Sequence, residues 1–172
     1  WLLADVAADT AARAPDIVVS SHVTHIGAAT ASTLLRANRD IAVLGGADIV
    51  SLGGRMDLTL AADANAATQA GGQVRIAGTA GDAASIATAG GSLSIGGGKF
   101  TTNGTVTLSS MGGARGRANG SATAGTVDDG VSIEQAWIST SGGAVTIRGR
   151  GDETSASAGR HEGVSIAAST FD

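Results

Sequence analysis

The sequence predicts an all-β chain coiled as a parallel β-solenoid, and three observations carry that reading. Apolar and polar residues alternate in short runs, Gly-Gly corners separate the runs, and the combination recurs along the chain. It is plainest in SIATAGGSLSIGGGKFTTNGTVTL, residues 85–108. There Ile86, Leu93 and Ile95 are followed by Phe100, Val106 and Leu108, about corners at Gly90-Gly91 and Asn103-Gly104. Related runs stand at 49–58 (IVSLGGRMDL) and 138–147 (ISTSGGAVTI). The unit is a short β segment, a glycine corner and a second alternating segment.

Composition agrees with a thin core. The chain has 172 residues, 27 of them Gly, with one Pro, no Cys, no Tyr and 2% aromatics, so its apolar content is mostly Ala, Val, Ile and Leu. An ordinary β-sandwich fills its core with larger rings. The regular alternation argues against disorder, the other outcome of so much Gly, Ala and Ser. The absence of cysteine excludes a disulfide framework and thiol catalysis. A net charge of −4 gives no global attraction to nucleic acid or an anionic membrane. No apolar run approaches the ~20 residues that span a bilayer. The opening WLLADVAADTAAR lacks the basic start and cleavage site of a signal peptide. A first residue of Trp1 leads us to expect a piece of a longer polypeptide.

Taken in order, Leu2, Leu3, Val6, Ala7 and Ala11 fit one face of a short helix that Pro15 would end, or an irregular cap. We therefore expect a cap or first turn over 1–32 and solenoid repeats over 33–172. Strand signals begin at Ile17 with IVVSS and continue through TLLRANRDIAVL, DIVSL and RMDLTL. In the last, Met56, Leu58 and Leu60 face one side, with Asp57 and Thr59 on the other. About fifteen strand-like segments at three per turn make about five turns, ~25 Å of stack at ~4.8 Å each. GGGK at 96–99 leaves no room for a third strand there, so the phase of the turns is open at that point.

The run TLLRANRDIAVLGGADIVSLGGRMDLTLAADAN (33–65), followed by GGQVRIAG and IATAGGSLSIGGG, resembles the filamentous haemagglutinin-like large exoproteins, the passengers of bacterial two-partner secretion. The resemblance covers roughly 33–170 and lies in the style of repeat. It implies a right-handed parallel β-helix, export to the bacterial cell surface, and adhesion or contact-dependent competition. The family's amino-terminal Asn-Pro-Asn motifs are absent, which implies a downstream piece of the passenger.

A second repeat needs no family. Arg115-Gly116-Arg117 recurs 33 positions on (148 − 115 = 33) as Arg148-Gly149-Arg150, and Val131-Ser132-Ile133 recurs as Val164-Ser165-Ile166. Polar loops at 109–129 and 148–162, with a plainer one at 61–72, then leave one corner of successive turns. That corner is where repeat proteins often bind. The same register places Arg115 near Arg148 and Arg117 near Arg150. Like charges so stacked need a counter-charge. Asp128, Asp129, Asp152, Glu153 and Glu162 are the internal candidates, and a sulphated glycan is the external one. Arg150-Gly151-Asp152 is also the tripeptide integrins recognise, but Arg117-Ala118-Asn119 fills the equivalent place one repeat earlier. A plain solvated loop is the expectation there.

The rival fold is an antiparallel meander, since Gly-Gly between alternating runs also marks hairpins. Recurrence of the same residue types at equivalent places favours stacking. Stacked, Ile49, Ile86, Leu93, Ile95, Val106, Leu108, Ile133, Ile138, Val145, Ile147, Val164 and Ile166 all face one continuous core. The glycines supply positive φ at the corners.

Catalytic constellations are missing from the pattern. Asp128-Asp129 is the one adjacent acidic pair, read as a solvated loop pair, and no second carboxylate is spaced for glycoside hydrolysis. His22 and His25 fall on opposite faces of a strand, which disfavours zinc. Asp63 and Asn65 read as turn formers. No catalytic, metal or cofactor site is expected. The leading functional reading is a secreted adhesin segment whose loop face, with Arg115, Arg117, Arg148, Arg150 and Asp152, contacts surface glycans or receptors. We expect no nucleic-acid partner, no membrane insertion, and open solenoid ends able to contact neighbouring domains or chains. An inert spacer is the alternative, and a polysaccharide-acting enzyme the remote one.

Overall fold

A computed structural model describes residues 3–5, 16–63, 72–97, 114–115, 129–151 and 162–172. These residues are all-β with no helix. The strands run β1 (Leu3–Asp5), β2 (Ile17–Val19), β3 (Val23–His25), β4 (Ala31–Arg36), β5 (Ile41–Leu44) and β6 (Asp48–Ser51). They continue with β7 (Met56–Ala62), β8 (Val74–Ala77), β9 (Ala84–Ala87), β10 (Leu93–Gly97), β11 (Ala114–Arg115) and β12 (Val131–Glu134). Last come β13 (Ala136–Ser139), β14 (Val145–Ile147), β15 (Gly149–Arg150), β16 (Val164–Ala167) and β17 (Thr170–Phe171).

Every third strand stacks on its predecessor. Sheet A orders β1-β4-β7-β10-β14, sheet B orders β2-β5-β8-β12-β16, and sheet C orders β3-β6-β9-β13-β17. All pairings between named strands are parallel, as in a β-solenoid. A meander is excluded at its test point: β6 pairs with β3 and β9, and β7 with β4 and β10, all parallel. Ile17–Val19 and Val23–His25 already belong to this stack.

Alternation puts one side chain in two inside. β7 follows the rule at Met56, Leu58 and Leu60, buried, and at Asp57 and Thr59, half-buried. Ile49, Ile86 and Ile138 form one inward column and are all buried. Val43, Ile76 and Ile133 form another in sheet B. Leu93 and Ile95 sit between Leu58 and Leu60 on one side and Val145 and Ile147 on the other. Each fully buried aliphatic contributes ~1.5–3 kcal/mol.

The continuous core expected from the sequence fails at its last rung. Val145, Val164 and Ile166 keep their inward register but are 42%, 37% and 50% exposed. No described strand stacks beyond β14, β16 or β17, so one side of each side chain meets no further rung. Val106 and Leu108 lie outside the described residues.

The corner from sheet C to sheet A shows why the Gly-Gly pairs recur. At Thr88–Gly91 and Thr140–Gly143 the chain reverses through two residues at positive φ, Ala89 (50°) and Gly90 (87°), then Ser141 (50°) and Gly142 (90°). Both positive values are those of a type I′ turn. Glycine alone was expected to take them. Ala89 and Ser141 do so because the larger φ, harder for a side chain, falls on the glycine. The second glycine is fixed by packing. A Cβ on Gly91 would strike the backbone carbonyl of Met56 in the rung below, and one on Gly143 that of Gly91. The Thr before each pair completes the corner: Thr88 Oγ1 donates to the Gly91 carbonyl at 2.6 Å, and Thr140 Oγ1 to that of Gly143 at 2.8 Å. Ser51 makes the same bond to Gly54.

Candidate functional site

The three corners differ in length. From B to C the chain spends few residues, at one point Gln135 alone, with φ of 48°. From A to B it spends many: residues 63–73, 98–130 and 148–163 all lie between a sheet A strand and the next sheet B strand. Because the sheets are stacked, all of these segments leave one corner of successive rungs.

Two kinds of contact organise that corner. The first is a carboxylate that accepts a backbone N–H from the following rung. Asp16 Oδ1 accepts from Asp40 at 3.2 Å, and Asp40 Oδ1 from Gln73 at 3.1 Å. Asp129 Oδ1 accepts from Glu162 at 2.8 Å, across 33 residues. Arg39 adds an ion pair to Asp16, whose hydrogen bond raises the already high Arg39 pKa. This overturns the solvated reading of Asp129, which is 0% exposed. A buried carboxylate costs desolvation, which hydrogen bonds to the charged form offset. Asp128 lies outside the described residues.

The second contact is β11 on β15, a two-stranded parallel pair separate from the three sheets. It sets Ala114 opposite Gly149 and Arg115 opposite Arg150. The 33-residue repeat had placed Arg115 beside Arg148, so the pairing here is shifted by two residues. Arg148 and Arg150 are exposed, and the Arg148 N–H is bound to the Ile95 carbonyl at 2.9 Å, which continues sheet A by one residue. Gly149 between them faces the backbone of Gly163 so closely that a Cβ would strike its carbonyl. The glycine of the Arg-Gly-Arg motif therefore has a packing reason. Arg117, Asp152, Glu153 and Asn65 lie outside the described residues, and with them the Arg150-Gly151-Asp152 tripeptide as a unit. Asp63 is buried and takes a φ of 51°, the left-handed conformation a turn-forming Asp tolerates.

Elsewhere, His22 Nδ1 lies 2.8 Å from Asp48 Oδ2, and His25 Nδ1 is 2.9 Å from Ser51 Oγ. Each histidine is thus taken up by a different partner on the next rung. No group of three His, Asp or Glu converges on a metal position among the described residues. A cleft of about 620 Å³ opens beside Val23, His25, Ile26, Thr33, Met56 and Asp57. Its two titratable groups are already engaged, His25 by Ser51 and Asp57 by Ser92, so it assembles no acid–base pair.

The buried-carboxylate ladder was missed by sequence reading, although a signal existed: Asp directly precedes Ile at 16–17 and at 40–41, where sheet B begins. Comparison with family models, with curated proteins and with solved structures finds no match to this chain.

Proposed function

We propose that this chain is a right-handed, about five-turn β-helical segment of a secreted bacterial surface exoprotein of the filamentous haemagglutinin-like kind, and that it adheres through its loop-bearing corner. The observation that supports this most is the placement of Arg115 opposite Arg150 on a strand pair outside the three sheets. It lies at the corner from which the long segments leave. Guanidinium groups held on adjacent rungs suit a sulphated or otherwise anionic surface glycan, which Arg grips in a bidentate manner. Such contacts are ionic and weaken with salt.

The test is retention on a heparin column. Arg115→Ala with Arg150→Ala is expected to elute at clearly lower salt than the wild type. Unchanged retention of the double variant removes the adhesive reading. The inert spacer then stands, and one observation already favours it: Gly149 of the Arg-Gly-Arg motif is required by packing against Gly163.

A further inference from the structure

A different surface carries a second, independent reading. The outward face of sheet C holds a single straight column of side chains across five rungs. Asp48 registers with Ser85, Ser85 with Trp137, and Trp137 with Thr170. His22 precedes Val23, the partner of Ile49, and so heads the column beside Asp48, which it contacts.

Trp137 is the anomaly in this column. The sequence has two Trp and 2% aromatic residues, yet this indole stands 40% exposed on a sheet face instead of in the core. Its neighbours in the adjacent outward column are small, Ala87 opposite Ser139, so nothing tall rises beside it. The indole N–H, the Ser85 hydroxyl and the Thr170 hydroxyl make no hydrogen bond to a described residue. Three polar groups thus follow one another at the rung spacing of ~4.8 Å, around one apolar plate.

The chemistry narrows the occupant. β13 is paired on both sides, by β9 and β17, so a partner cannot add as a strand here and must be read through side chains. One ring amid hydroxyls is too polar for a lipid surface or the apolar face of a helix. Asp48 and the net charge of −4 disfavour a polyanion. A pyranose ring fits: its C–H face packs on an indole, and its hydroxyl rim exchanges hydrogen bonds with an indole N–H and with Ser and Thr hydroxyls. One pyranose is about as wide as one rung, so an extended chain of them keeps step with the column. We propose that the outward face of sheet C, centred on Trp137, binds an extended, uncharged β-linked polysaccharide. This site is separate from the arginine corner, whose ligand is anionic.

The intact chain would be titrated with hexasaccharides of β-1,4-linked N-acetylglucosamine and of β-1,4-linked glucose. Indole N–H signals would be followed by NMR, with the Trp137 signal assigned by its loss in Trp137→Phe. At least one sugar is expected to shift that signal saturably. Trp137→Ala is expected to weaken binding by about tenfold or more, and Ser85→Ala with Thr170→Ala by a few-fold. An outward side chain can be truncated without collapsing the core, so the circular dichroism and melting temperature of Trp137→Ala should match the wild type. Heparin retention of Trp137→Ala should also be unchanged, which separates this site from the arginine corner. If neither hexasaccharide moves the Trp137 signal at millimolar concentration, or if Trp137→Ala binds as tightly as wild type, the proposal is overturned.

Discussion

The carboxylate of Asp57 accepts two hydrogen bonds from Ser92, one from its backbone N–H at 2.8 Å and one from its hydroxyl at 2.9 Å. It thereby fastens one rung of the stack to the next. The N–H bond is the main reason that the Asp57 pKa lies below its ordinary value near 3.8; the Ser92 hydroxyl and Arg55 act in the same direction.

A depressed carboxylate pKa contributes stability that is present above the unfolded value and is lost as pH falls through the folded one. Wild-type protein should therefore lose stability faster than Asp57→Ala as the pH drops below about 3.8. Urea unfolding across that range is the measurement. The difference should be modest, because the Asp57 side chain is 37% exposed and solvent screens it.

Asp129 makes the same kind of tie from inside. Asp129→Ala leaves the Glu162 N–H without its acceptor and should cost about 1–3 kcal/mol in urea unfolding. Asp129→Asn keeps an acceptor oxygen at the same reach and should cost clearly less. Equal losses for the two variants would show that the charge, not the acceptor, holds the corner.

The glycines should separate by mechanism. Gly91→Ala drives a Cβ into the Met56 carbonyl and should cost ~3 kcal/mol, the upper end for overpacking. Gly142→Ala meets no atom but must hold a φ of 90°, at a cost of about 1–2 kcal/mol. Gly81→Ala, with open space and no strained φ, should be close to neutral. Melting temperatures of the three variants would give the order.

Position along the stack should matter as much as residue type. Ile133 and Ile166 occupy one column of sheet B, 1% and 50% exposed. Ile133→Ala should cost about 2–5 kcal/mol as a core truncation. Ile166→Ala should cost less than half as much in the same assay, since it already faces outward at the last rung.

Much of this fold was written in local pattern. Alternation at Met56, Leu58 and Leu60 gave the inward face, and the recurrence of Ile before Thr-x-Gly-Gly placed Ile86 and Ile138 in one column. What escaped depends on the rung above or below. Nothing near Asp129 in the chain says that the N–H of Glu162 will sit over it. The pairing of Arg115 with Arg150 departs from the 33-residue repeat because the two strands meet outside the sheets, where the core columns do not dictate register. Trp137 could be assigned outward from its neighbour Ile138. Its exposure rests on small residues brought from 85–87 and from Thr170.

The parallel pairing of rungs has a mechanical consequence. Hydrogen bonds between stacked strands run along the stack, so a pull along that axis loads the bonds of one rung junction together and successive junctions in series. The junction with the fewest bonds and the least buried side chains yields first. Here that is the seam between β13 and β17, with two registered residue pairs and Phe171 39% exposed, together with its neighbour between β12 and β16. Under tension the chain would peel one rung at a time from that end, paying out length at low force while the interior rungs stay folded. A sideways push is instead resisted by all three sheets at once, so the same molecule is stiff against bending and extensible along its length.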